Sequence, residues 1–211
     1  MRKQTLVLIF SILTIAVSAQ KDPEAMKILS EFSKKATSAP SVTIDFTIVT
    51  SNAREGDVDT LSGSAIISGD KYQLTLPENS IWTDGKTVWS YLPDANEVTI
   101  TKSDPDDESF ISKPSLLFTM YREGFKVRLV EQTVNEWIID LYPEEISTDL
   151  IRIRLKIGKK LHDLIGAEYK TKDGVTMNLT SDKYDLSFKP DDDFFTFNPA
   201  DYKDVDVIDM R

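Results

Sequence analysis

At Pro40 the spacing of apolar residues changes from the period of a helix to the period of a strand, and it scarcely changes back. Before that point Ala25, Ile28, Leu29, Phe32 and Ala36 recur at intervals of three and four, with Lys27, Ser30, Glu31 and Lys34 on the opposite side. That pattern predicts one amphipathic helix. Asp22 suits its N-cap, Pro23 its first helical position and Glu24 the positive end of its dipole. Beyond Pro40, Val42, Ile44, Phe46 and Ile48 alternate with Thr43, Asp45 and Thr47, which predicts a half-buried antiparallel strand.

Further strands are predicted over 60–68, 72–76, 80–83, 87–92 and 98–102, so that 40–102 reads as a β-meander. Gly69-Asp70, Pro77-Glu78-Asn79 and Pro93-Asp94-Ala95-Asn96 supply turns, and Asp84-Gly85 is a two-residue hairpin signal. An acidic stretch over 103–108 and a short apolar helix over 115–121 interrupt the series. Strand patterns resume over 125–132, 137–143, 151–157, 164–171 and 176–180, with a second hairpin signal at Asp173-Gly174. Short apolar stretches at 186–188 and 194–198 close the domain, and the tail from Asp201 is charged. About ten to eleven strands, with turn signals every 8–12 residues or so, predict a barrel or sandwich. No alternation of strand and helix points to a parallel sheet.

Residues 1–19 stand apart. Arg2-Lys3, an apolar run over 6–17 and Val17-Ser18-Ala19 form the three regions of a cleavable export signal. The run is short of the roughly 20 residues a membrane span needs. The expectation is an exported, soluble single domain over 20–211. Its charge follows from the composition: without Arg2 and Lys3, 23 of the 25 basic residues remain against 35 acidic ones, a net charge of −12. That balance disfavours nucleic acid and tight adsorption to anionic lipid, and suits a monomer that stays in solution. The absence of cysteine excludes a disulfide framework, a thiol nucleophile and a lipidated N-terminus of the protein's own.

Catalytic chemistry finds few candidates. The only histidine, His162, sits in the polar stretch Lys159-Lys160-Leu161-His162-Asp163 and reads as a turn residue. No nucleophile elbow, triad or phosphate loop is present. Asp104, Asp106, Asp107 and Glu108, and Asp191, Asp192 and Asp193, lack the spacing and glycine of an EF-hand and read as solvated loops. Neither an enzyme nor a cofactor is expected. What remains is apolar surface. Val42, Ile44, Phe46, Ile48, Tyr72, Leu74, Leu76, Trp89 and Tyr91 are expected to share one face of the meander. That face is either an ordinary core filled by the N-terminal helix or the wall of a ligand cavity, and the pattern does not separate the two.

Trp82-Thr83-Asp84-Gly85-Lys86-Thr87-Val88-Trp89-Ser90-Tyr91-Leu92-Pro93-Asp94-Ala95-Asn96-Glu97-Val98 resembles the signature of the LolA lipoprotein carriers. Lys113-Pro114-Ser115-Leu116-Leu117-Phe118 resembles that family's proline-containing lid helix, and Phe194-Phe195-Thr196-Phe197-Asn198-Pro199 its closing motif. The resemblance implies an unclosed, strongly curved antiparallel half-barrel under a helical lid. It implies a periplasmic chaperone, not an enzyme, that takes acylated lipoproteins from an ABC-type release complex of the inner membrane and hands them to an outer-membrane receptor. The nine residues above would line the acyl cavity, and Leu29, Phe32, Leu116, Leu117, Phe118 and Met120 would form the lid. An envelope sensor on the same scaffold is the alternative. Ser68-Gly69-Asp70 stands where many members carry a basic residue and a proline that latch the lid, so no latch residue is assigned.

Overall fold

The computed structural model of the protein describes residues 22–104 and 112–211. The leader expected over 1–19 and the acids Asp106, Asp107 and Glu108 lie outside them. Helix α1 spans Pro23–Ser38, and Asp22 caps it by accepting from the N–H of Glu24 and of Ala25. The first run of strands is β1 Val42–Asn52, β2 Val58–Ser68, β3 Lys71–Thr75, β4 Ser80–Thr83, β5 Thr87–Leu92 and β6 Glu97–Lys102. The short helix α2, Leu116–Thr119, continues into a single 3-10 turn, Met120–Arg122. The second run is β7 Phe125–Gln132, β8 Glu136–Pro143, β9 Leu150–Gly158, β10 Leu164–Thr171 and β11 Val175–Asp185, and β12 is Asp206–Asp209.

All twelve strands form one open, curved sheet in the order β12-β6-β5-β4-β3-β2-β1-β11-β10-β9-β8-β7. Two meanders are joined where β1 pairs with β11, and β12 and β7 are left as edges. The expected half-barrel is therefore present, with one strand more than the sequence pattern predicted. That strand comes from the charged tail: β12 pairs parallel to β6, Val207 beside Val98. The stretches at 186–188 and 194–198 are irregular. Both hairpin signals lie in three-residue links, not two-residue ones. In the first, the Asp84 carboxylate accepts from the N–H of Lys86 and of Thr87, each at 2.8 Å, which fixes the wider turn. Gly69, at φ +59, does lead a two-residue link between β2 and β3, as a II′ turn requires.

The inner face of the sheet and α1 build the main core. Ala25, Ile28, Leu29, Phe32 and Ala36 of α1 are buried against Val42, Ile44, Phe46, Ala65, Ile67, Tyr72 and Leu74 from one meander and Val127, Ile139, Leu141, Ile153, Leu155 and Ile157 from the other. Each large apolar side chain so buried contributes about 1.5–3 kcal/mol. Gly63 of β2 lies opposite Phe46. A Cβ there would stand 2.8 Å from the Phe46 ring and 2.8 Å from Leu76, so the absence of a side chain lets both cross β2.

The outer face differs between its halves. Over β4–β6, Trp82, Trp89, Tyr91 and Val98 form a second apolar cluster with Phe197, Tyr202 and Val205 of the C-terminal segment. Over β7–β10 the outer face is charged. Asp140 is 1% exposed and accepts from Arg154 Nε at 2.7 Å and Nη2 at 2.9 Å, and from the Tyr142 hydroxyl at 2.9 Å. Arg152 pairs with Glu168 beside it. Burial raises the Asp140 carboxyl's pKa, but donation from Arg154 and Tyr142 and the two guanidinium charges outweigh it, so the group sits below the usual carboxylate range.

Candidate functional site: a cleft beside the first helix

Helix α1 occupies the trough of the curved sheet because its apolar stripe matches the sheet's inner face. It does not fill the trough from end to end. Beyond its C-terminal end opens a cleft of about 740 Å³, within the range of roughly 300–1,000 Å³ that small-molecule sites occupy. Val42, Ile67, Tyr72, Leu116 and Phe118 supply its apolar wall. Its rim is polar: Ser68, Gly69 and Asp70 on the β2–β3 turn, Gly85 and Lys86 on the β4–β5 turn, and Lys102, Ser112 and Lys113 around α2. α2 sits over the cleft with Phe118 turned inward against Phe32, ring centroids 5.6 Å apart.

Of the expected cavity residues, Val42 and Tyr72 line this cleft. Ile44, Phe46 and Leu74 are buried beneath α1, and Ile48 and Leu76 pack partly buried at the margin of the same core. Trp89 and Tyr91 correct the expectation. Tyr72 pairs with Thr83 and Thr83 with Val88, while Trp89 pairs with Trp82, so Trp89 and Tyr91 point to the outer face and into the aromatic cluster there. Of the expected lid residues, Leu116 and Phe118 line the cleft; Leu29 and Phe32 are core, and Leu117 and Met120 pack against it. Ile67 was missed, although it continues the inward phase of β2 with Ala65.

Among the described residues, four polar ties hold α1 and its N-cap in place, and none comes from the turn at Ser68-Gly69-Asp70, where Ser68 Oγ donates instead to the Pro40 carbonyl just beyond the helix, at 2.8 Å. Glu31 meets His162 Nε2 at 2.8 Å, Lys35 donates to the Leu161 carbonyl at 2.9 Å, and Arg122 donates to Ser33 Oγ at 3.1 Å. The fourth is Asp22, which accepts from the Leu129 N–H at 3.1 Å as well as capping the helix. Burial raises its pKa, and donation from the N–H groups of Ala25, Leu129 and Glu24 lowers it by more, leaving the carboxyl below its ordinary value. His162, expected as a turn residue, is in a turn at φ +52; its ring lies 5.1 Å from that of Trp137 and its role is to tie helix to sheet.

A family model described as outer membrane lipoprotein carrier protein LolA matches residues 15–144. The chain belongs to the LolA family. No curated protein sequence matches it. Among solved structures, an uncharacterised conserved protein from Thermus thermophilus aligns with a TM-score of 0.55 at 14% identity, over 88% of this chain and 99% of that one. A LolA superfamily protein from Nitrosomonas europaea aligns at 0.43 and 13%, over 82% and 97%. A putative outer membrane lipoprotein-sorting protein domain from Vibrio parahaemolyticus aligns at 0.44 and 10%, over 81% and 96%. No helix among the described residues of this LolA-family chain is long and apolar enough to cross a membrane.

Proposed function

We propose that the protein is a periplasmic carrier that shields the acyl chains of lipoproteins, loading from an inner-membrane release complex and unloading at the outer membrane. The observation that supports this is the cleft between α1, α2 and the inner face of β1–β3, apolar within and polar at its rim. An acyl chain in water costs about 0.8 kcal/mol per CH₂, so a sixteen-carbon chain carries on the order of 12 kcal/mol. An apolar cleft without a polar anchor inside it offsets that cost and still permits release, because transfer between two apolar sites is nearly neutral. The trough can lengthen the site. Leu29 and Phe32 of α1 are surrogates for the chain that would replace them, and the helix's polar ties are few.

The test is binding of an acylated lipoprotein and its deacylated form to the purified mature protein. A one-to-one soluble complex with the acylated form alone is expected; equal binding of both forms would overturn the reading. Leu116→Glu places a charge on the cleft wall at a half-buried position, so acyl binding should fall while the fold persists by circular dichroism. Depletion in cells separates carrier from sensor. Loss of a carrier strands lipoproteins in the inner membrane, whereas loss of a sensor changes a stress response and leaves their location intact.

A further inference from the structure

The chain is acidic, with 25 basic against 35 acidic residues, yet one of its faces is basic. The pairing of β7 with β8, β8 with β9 and β9 with β10 places Lys126, Arg128, Arg152, Arg154, Lys156 and Lys170 on the outer face. Four acids, Glu131, Glu136, Asp140 and Glu168, accompany these six bases on those strands. Two of the four carboxylates are already engaged, Asp140 by Arg154 and Glu168 by Arg152. Lys126, Arg128, Lys156 and Lys170 are all exposed around that fixed centre. The engaged guanidinium groups retain N–H donors, since each carries five, and their ion pairs hold them in place, which lowers the ordering cost of further contacts.

We propose that the outer face of β7–β10 is a docking surface for an acidic segment of a partner protein. Its position suits a carrier, although the proposal stands whatever occupies the cleft: the cleft lies on the inner face, so a partner here leaves it open. Strand addition is not the mode of contact at this edge. Asp22 takes two outward backbone groups in the middle of β7 and interrupts that edge: its N–H donates to the Val127 carbonyl at 3.2 Å and its carboxylate accepts from the Leu129 N–H at 3.1 Å. Contact is therefore made through side chains on the face. An acidic protein segment suits it better than an anionic bilayer does. Charges more than about 8 Å away are largely screened at physiological salt, so a narrow segment meets only the basic field. A bilayer plane would bring the acidic remainder of the molecule against its own charge.

The experiment titrates the isotope-labelled mature protein with a poly-glutamate peptide and follows its amide resonances. Shifts should concentrate at 126–128, 152–156 and 170 and vanish at high salt. Lys126→Glu with Arg128→Glu, Lys156→Glu and Lys170→Glu should weaken binding by about tenfold or more, with the circular dichroism spectrum and acyl binding intact. Lys126→Gln with Lys156→Gln and Lys170→Gln gives the same comparison without reversed charges, should the first variant fold poorly. Shifts spread equally over Lys27, Lys71 and Lys203, or affinity unchanged in both variants, would overturn the proposal. Tighter binding to phosphatidylglycerol vesicles than to the peptide, through the same four residues, would overturn it in favour of a membrane.

Discussion

The two halves of the sheet's outer face meet the same difficulty with opposite chemistry. Neither has a helix among the described residues to cover it. Over β4–β6 the face is aromatic, and the C-terminal segment folds back to seal it: Phe197 packs 5.5 Å from Trp82 and 4.6 Å from Tyr202, ring to ring. Over β7–β10 the face is polar, and the Asp140 carboxylate is satisfied by Arg154 and Tyr142 without a cover. The first arrangement couples distant parts of the chain, since the seal lies about a hundred residues from the strands it protects. The second is local to neighbouring strands and leaves its surface open to a partner. One sheet therefore carries a closed flank and an available one.

The largest effect expected is at the closed flank. Phe197→Ala removes the ring that touches Trp82, Tyr91 and Tyr202 and should cost about 3–5 kcal/mol. Hydrogen exchange should quicken at β12 and β6 and leave β8 and β9 protected. Equal loss of protection on both flanks would show that they are not separate units. At the open flank Asp140→Ala leaves the partly exposed Arg154 guanidinium without its partner while Arg152 keeps Glu168, and a smaller loss of about 2 kcal/mol is expected in urea unfolding. Replacing both Asp140 and Arg154 with Leu should cost less than Asp140→Ala alone, because no unpaired charge remains. The same site sets an acid limit. Its folded pKa lies below the unfolded value of about 3.9, so its contribution is present above that pH and is lost as pH falls through the depressed folded value. Asp140→Asn should flatten the dependence of stability on pH below about 4.

The same division explains what could be read from residues alone. The bounds of β4, β5, β7 and β10 follow the apolar alternation and its turns to the residue. The facing of β5 does not. Period two says that neighbours point opposite ways, but not which set points in, and the more apolar set is the natural choice for the inside. In β5 and β6 that set is Trp89, Tyr91, Val98 and Ile100, and it faces out because a segment near residue 200 covers it. The inward set includes Ser90, Thr99 and Thr101. β12 was illegible for a related reason: its residues are all exposed, and its parallel partner is remote. The signature stretch that carries the family resemblance supplies much of this sealed flank, through Trp82, Trp89, Tyr91, Asn96 and Val98. The cleft itself was not legible, since a trough filled by a helix and a trough left partly open share one apolar pattern.

Asn96 offers the finest test of how the seal is held. It sits in the β5–β6 turn at φ +49, in the left-handed region. Its amide donates to the carbonyls of Lys203 at 3.1 Å and Asp204 at 3.0 Å, its side-chain oxygen accepts from the Tyr91 hydroxyl at 3.1 Å, and its main-chain carbonyl accepts from the Asp206 N–H. Asn96→Gly removes the side-chain bonds and keeps a backbone suited to that conformation. Asn96→Ala removes the same bonds and adds the steric cost of positive φ, about 1 kcal/mol. Urea unfolding should therefore rank the alanine variant below the glycine variant by roughly that amount, with the glycine variant itself down by about 1 kcal/mol. If glycine costs nothing, the aromatic rings hold the tail unaided and the closed flank is purely apolar. If alanine and glycine cost the same, the turn relaxes on losing its clamp, and the tail itself imposes the left-handed geometry.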